Sequence, residues 1–170
     1  ERRELTIFFS DIVGFIAISE RLDPAEESKL LNDYLSLCAE TILARKGTVD
    51  KFVGDGIVAF WNAPVHEPTH ALLAVETAIE IQHKLKLKQA EWKSRFGSEL
   101  KTRIGLHTGT VNVGNFGATF RFSYTVIGDA ANLASRLEGA NKVFGTSVIV
   151  SGATKDLIRD RLSFRRLGQI

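Results

Sequence analysis

Two strand-like runs, Thr48 to Val53 and Ile57 to Trp61, close on Gly54-Asp55-Gly56, a composition typical of a tight hairpin turn. A hairpin is marginal alone, so it commits the chain to a larger sheet and a layer that covers it. The flanking sequence supplies both. Leu5-Thr6-Ile7-Phe8-Phe9 is an apolar strand candidate running into Ser10-Asp11. A helix follows, with Asp23 as N-cap, Pro24 in the first turn, Glu26 and Glu27 near its positive end and Gly47 as terminator. Its core stripe reads Leu31, Leu35, Cys38 and Ile42, with Tyr34 beside it. After the hairpin, a second long helix spans about residues 68–93, with Ala71, Val75, Ala78 and Ile79 facing inward. Lys101 to His107 alternates as a strand, Thr102, Ile104 and Leu106 sharing one face. Val111-Val113 and Phe120-Phe122-Tyr124-Val126 flank Gly114-Asn115-Phe116-Gly117, which reads as a second hairpin. A helix from about Asp129 to Lys142, a strand at Val148–Val150, a short helix after Ser151 and a closing strand near Phe164 complete the pattern. The fold class is α+β, an antiparallel-rich sheet with helices on one face.

No internal repeat, low-complexity tract or linker divides the chain, and 170 residues suit one domain spanning 1–170. Lys and Arg number 22 against 20 Asp and Glu, a net charge of +2, which argues against a nucleic-acid-coating or polybasic membrane protein. Cys38 stands alone, which excludes an internal disulfide and points to a reducing compartment. No apolar run approaches the ~18 residues of a membrane span, and no signal-peptide pattern opens the chain. Met is absent throughout, even at position 1, so the chain reads as a piece of a longer protein with further sensor or membrane parts.

Asp11 ends a strand and precedes Ile12-Val13-Gly14-Phe15. Gly14 lets a ligand approach the backbone, and a helical turn from Phe15 aims its N–H groups at phosphate. Singly, Asp11 is an ordinary turn cap and Asp55 an ordinary hairpin residue. If their two strands are neighbours in one sheet, two carboxylates meet at a single edge, and such an edge can hold Mg²⁺ while keeping sites for substrate phosphates. Phe120, Phe122, Tyr124 and Val126 share one face of their strand, and Arg121, Ser123 and Thr125 the other. Asn132 and Arg136 lie four apart and project from one side of the next helix, with Leu133 and Leu137 as its buried stripe. Asn is a poor mid-helix residue unless its amide has a partner. His66 and His70 have helical metal-pair spacing but no acidic support, and read as a solvated helix start. His107, at a strand end, reads as packed. No Walker loop, G-x-S-x-G or Cys/His cluster occurs.

Together, Phe9-Ser10-Asp11-Ile12-Val13-Gly14-Phe15, Lys51-Phe52-Val53-Gly54-Asp55-Gly56 and the stretch from Tyr124-Thr125 through Gly128-Asp129 to Asn132, Arg136 and Glu138 closely resemble, in order and spacing, the three signature blocks of class III nucleotidyl cyclases. The resemblance implies a ferredoxin-like core and a head-to-tail homodimer with two active sites at its interface. It implies that Asp11 and Asp55, helped by the Ile12 carbonyl, bind two Mg²⁺ or Mn²⁺ ions. Lys51 and Thr125 would read the purine, Gly14 and Phe15 would lie against the substrate, Asn132 would orient the ribose and Arg136 would contact the phosphates. The implied reaction is attack of the ribose 3′-oxygen on the α-phosphorus of ATP, giving cyclic AMP and pyrophosphate. A guanylate cyclase and a catalytically weak, nucleotide-binding regulatory domain are the alternatives. The family's further phosphate-contacting Lys follows the closing strand; Ile170 comes before it, and Lys155 is too early to match. The expected location is cytoplasmic, with sensor or membrane-anchoring parts elsewhere in the parent chain.

Overall fold

The computed structural model describes residues 1–168. The elements in chain order are β1 (Arg2–Ile12), α1 (Phe15–Ser19), α2 (Pro24–Ala44), β2 (Thr48–Val53), β3 (Gly56–Trp61), α3 (His70–Phe96), β4 (Thr102–Ala118), β5 (Arg121–Ile127), α4 (Asp129–Phe144), β6 (Val148–Val150) and α5 (Gly152–Ile158). The strand order β2-β3-β1-β4 is all antiparallel, and α2 and α3 connect it in the β-α-β-β-α-β sequence of a ferredoxin-like core. β5 extends this order, while β6 pairs in parallel with the first part of β4.

α2 starts where its chemistry dictates. The Asp23 carboxylate accepts from the Ala25 and Glu26 N–H groups, and the Glu26 side chain accepts from the Asp23 N–H, a complete capping box worth about 1 kcal/mol. It ends at Arg45, and the Gly47 N–H returns to the Ile42 carbonyl. Its buried face is Leu30, Tyr34, Cys38, Thr41 and Ile42; Leu31 and Leu35 are only partly buried beside it, one position off the expected stripe. On α3, Ala71, Val75 and Ala78 are buried as expected, but Ile79 is exposed. Burial pushes the Cys38 thiol up to about 12, which leaves it an inert core group.

Three further expectations are corrected. Helices cover both faces. Phe8, Ile12, Ile57, Ala59 and Trp61 pack with α2 and α3, while Leu5, Ile7, Phe60, Val111 and Val126 pack with Ala130 and Ala134 of α4 on the other side. The second hairpin turns at Thr119-Phe120, because β4 runs on through Gly114–Gly117 and pairs with β5 as far as Ala118↔Arg121. No strand forms near Phe164 among the described residues; Phe164 is partly buried against the core instead. The expectation attached to Ile170 lies outside the described residues. Among the described residues no helix is long and apolar enough to cross a membrane.

Candidate active site

β3 lies beside β1, so the β2–β3 turn arrives at the end of the sheet where Asp11 sits. Gly54 takes the turn's positive φ of 60°, and Gly56 passes so close to β1 that a Cβ there would lie 2.5 Å from the Ser10 carbonyl oxygen. The turn is thereby held against β1, and the Ile12 N–H donates to Asp55 Oδ2 at 3.0 Å. Burial, and then the adjoining Asp11 carboxylate, raise the Asp55 carboxyl to about 6. Asp11 is held from two sides. Arg103 Nη2 donates to its Oδ2 at 3.0 Å, and Thr102 Oγ1 donates to its carbonyl at 2.8 Å. Tyr34 donates to that Thr102 hydroxyl at 2.7 Å, and burial holds its phenol well above the ordinary value, in the neutral donor form. Behind Arg103 stands Glu138 of α4, with Nε to Oε1 at 3.0 Å. Burial pushes the Glu138 carboxyl up against the opposing pull of Arg103.

Two crowded carboxylates, one of them unwilling to ionise, form an oxygen donor set that a divalent cation would relieve. Among the described residues no group of three or more His, Cys, Asp or Glu is placed to hold a metal ion. The histidines are not part of the donor set. His66 is exposed. His70, expected to be solvated, is 6% exposed, and its Nδ1 lies 2.7 Å from the Thr6 hydroxyl. A row of hydroxyls, Thr6, Thr108, Thr154 and Ser151, continues from there to His107 Nδ1. Burial lowers both imidazoles, which keeps them neutral links in a structural chain.

Lys51 and Thr125, on strands at opposite ends of the sheet order, come together because the sheet curls: Lys51 Nζ donates to Thr125 Oγ1 at 3.3 Å. Thr125 Oγ1 in turn donates to Asp50 Oδ2 at 2.7 Å. Sequence reasoning passed over Asp50, as it did Arg103 and the role of Glu138. Gly14 takes φ 66° and α1 begins at Phe15, so the first-turn N–H groups open beside Asp11.

Asn132 and Arg136 are brought together but not to the carboxylates. Ala130, Ala134, Leu137 and Asn141 are the buried face of α4, and Leu133 is only partly buried. Glu138 turns towards Arg103; Asn132 and Arg136 lie about 120–160° around the helix from it at 3.6 residues per turn. Both are exposed, and neither makes a hydrogen bond or ion pair among the described residues.

The ferredoxin-like α+β core thus carries two carboxylates at one sheet end, a donor–acceptor pair where the sheet curls and an exposed Asn/Arg helix face. The adenylate and guanylate cyclase catalytic domain family matches residues 1–170, and the chain belongs to that family. It is 42% identical over 167 residues to adenylate cyclase 1 of Rhizobium meliloti, covering 98% of this chain and 25% of that protein. The adenylate cyclase of Anabaena cylindrica is 35% identical over 93% of this chain and 31% of its own length. Among solved structures, the adenylyl cyclase CyaB from P. aeruginosa superposes with a TM-score of 0.93 at 39% identity, over 100% of this chain and 87% of that one. The guanylyl cyclase Cya2 superposes at 0.84 and 36% identity, over 92% and 79%. The chain thus spans about a quarter to a third of the length of these two curated relatives.

Proposed function

We propose that residues 1–170 are the single catalytic domain of a larger adenylate cyclase, converting ATP to 3′,5′-cyclic AMP and pyrophosphate. The relatives named adenylate cyclase support the reaction class, and an adenylyl and a guanylyl cyclase share the fold, so the fold does not choose the base. One observation carries the choice: Lys51 Nζ sits 3.3 Å from Thr125 Oγ1. Lys51 can only donate, which suits adenine N1; the Thr125 oxygen can accept from the N6 amino group. Guanine presents the reverse pattern, an O6 acceptor and an N1–H donor, and an acceptor such as Glu in place of Lys51 would be needed to read it.

Asp11, Asp55 and the Ile12 carbonyl would hold two Mg²⁺ or Mn²⁺ ions. When bound, those ions supply Lewis-acid activation of the ribose 3′-oxygen and neutralise charge on the phosphates. Arg103 fixes the Asp11 carboxylate, and the Ile12 N–H fixes that of Asp55. The backbone at Gly14 and Phe15 offers N–H groups to the phosphates. Asn132 orients the ribose and Arg136 stabilises charge gathering on the phosphates, work that is mostly positioning and electrostatics. Because α4 turns Asn132 and Arg136 away from Asp11 of the same chain, each site is completed by a second copy in a homodimer. The share of the relatives' length that lies outside the match supports additional regulatory or sensor domains in the full chain, and an ATP substrate places this domain on the cytoplasmic side.

Steady-state kinetics of the full-length protein with Mg-ATP and Mg-GTP test this reading. kcat/KM is expected to favour ATP by about a hundredfold or more, since the wrong base leaves polar groups unpaired. Equal values overturn the adenine assignment.

A further inference from the structure

Asp50 lies beside the base-reading pair without reaching solvent: its side chain is 2% exposed, against 51% for Lys51. In a regular strand, neighbours point to opposite faces. Here the β2–β3 register shifts between Val49 and Lys51, a bulge that leaves Asp50 unpaired with β3 and lets both side chains meet Thr125. We propose that Asp50 is a positioning residue for purine selection, its buried carboxylate holding the Thr125 hydroxyl proton so that one Thr125 lone pair faces the base as a fixed acceptor. This rests on the adenine reading above.

A hydroxyl has one proton and two acceptor sites. The proton goes to Asp50 Oδ2 at 2.7 Å, because a carboxylate oxygen only accepts. One acceptor site receives Lys51 Nζ, which only donates. A single lone pair is left, next to an ammonium with N–H groups to spare. That outward pattern, acceptor beside donor, complements the N6–H and N1 edge of adenine. A 6-oxopurine brings its own lone pairs to the same place. A free Thr hydroxyl would rotate and donate to them; this one would have to abandon a buried carboxylate to do so, which is costly. Selectivity at the purine 6-position therefore depends on a residue that never touches the base.

Inosine triphosphate isolates this edge, since it has the 6-oxo group of guanine without the 2-amino group. kcat/KM for ITP and ATP is measured for wild type, Asp50→Ala, Thr125→Val and the double variant, in the full-length protein, with melting temperatures. Asp50→Ala is expected to raise the ITP:ATP ratio about tenfold, roughly one exchanged hydrogen bond. In the Thr125→Val background the same change should leave the ratio within about twofold, because the coupling runs through the hydroxyl. An unchanged ratio in Asp50→Ala, or an equal shift without the Thr125 hydroxyl, overturns the proposal. If Asp50→Ala does not fold, near-isosteric Asp50→Asn is read instead. Its amide can turn an N–H to Thr125 and free the hydroxyl, so a rise of several-fold is expected and no rise is contrary. A wild type that itself prefers ITP to ATP overturns the adenine reading, a separate result from either of these.

Discussion

Asp55 is placed against the interest of the fold. Its carboxyl, ordinarily near 3.8, is raised to about 6 by burial and by Asp11. A group whose folded value is raised contributes stability below its unfolded value and loses that contribution as pH rises through the folded one. The metal-free protein should therefore lose stability between about pH 4 and 6 from this residue, and at pH 7.5 it carries the repulsion in full. Asp55→Asn keeps an oxygen for the Ile12 N–H and removes the charge. In EDTA at pH 7.5 its melting temperature is expected to equal or exceed that of wild type, while activity in Mg²⁺ falls by at least about a hundredfold. Calorimetry with and without Mg²⁺ completes the test: the ion should raise the wild-type midpoint and leave that of Asp55→Asn nearly unmoved. A variant that is both inactive and much less stable would make Asp55 a turn residue only. Asp11 and Asp55 were legible because each stands at a punctuated strand end. Asp50, Arg103 and Glu138 were not, since their partners lie 75, 92 and 35 positions away in sequence and are fixed by register, bulge and helix docking. A charged residue inside an alternating strand, as Arg103 is between Thr102 and Ile104, is the signal that could have marked one of them.

The element that sets the site's geometry is α4, and its seat is Gly105 on β4. A Cβ at Gly105 would lie 2.2 Å from the Glu138 nitrogen and 2.4 Å from the Ala134 oxygen, backbone atoms that cannot swing aside. Gly105→Ala must lift the helix, and with it Glu138 from Arg103 and Asn132 and Arg136 from their places. Overpacking of this kind costs about 1–3 kcal/mol, and each kcal/mol lowers the midpoint of a domain this size by about 2–4 °C. Activity measured well below that midpoint should fall as well, since the helix is displaced even in the folded protein. Full activity at an unchanged melting temperature would show that α4 is not held there. Elements with local signals were read correctly from sequence: the Asp23 N-cap, the Gly54-Asp55 turn, and α4 starting at Asp129. The second hairpin was misplaced because Gly-Asn-Phe-Gly has turn composition, yet pairing along β5 carries the strand through it to Ala118. The opposite-face position of α4 was invisible for a related reason, as an amphipathic pattern shows that a helix covers something but not which side.

At the scale of the whole molecule, one chain holds two groups of proposed site residues that do not meet. Asp11 and Asp55 lie at the sheet end, and α4 turns Asn132 and Arg136 away from them into solvent. The surface around β2 and β5 is apolar for a free monomer: Phe52, Val53, Phe122 and Ile127 are all more than half exposed, and Phe120 at the hairpin tip is 89% exposed. Tyr124, expected on that face, is instead partly buried against Phe60. Exposed apolar groups gathered in this way mark an association surface. In the proposed two-fold dimer every contact is made twice, so two equivalent sites would follow, each with Asp11 and Asp55 from one chain and Lys51, Thr125, Asn132 and Arg136 from the other. Asp55→Ala and Arg136→Ala proteins should each be nearly inactive alone. Mixed, a heterodimer carries both defects in one site and none in the other, so about half of a wild-type dimer's activity returns per heterodimer, and about a quarter in an equimolar mixture with random exchange. Subunit exchange is followed independently, by differently tagged chains recovered together. Exchange with no recovered activity would mean that Asn132 and Arg136 serve the carboxylates of their own chain, and α4 would then have to move from the position in which it is packed.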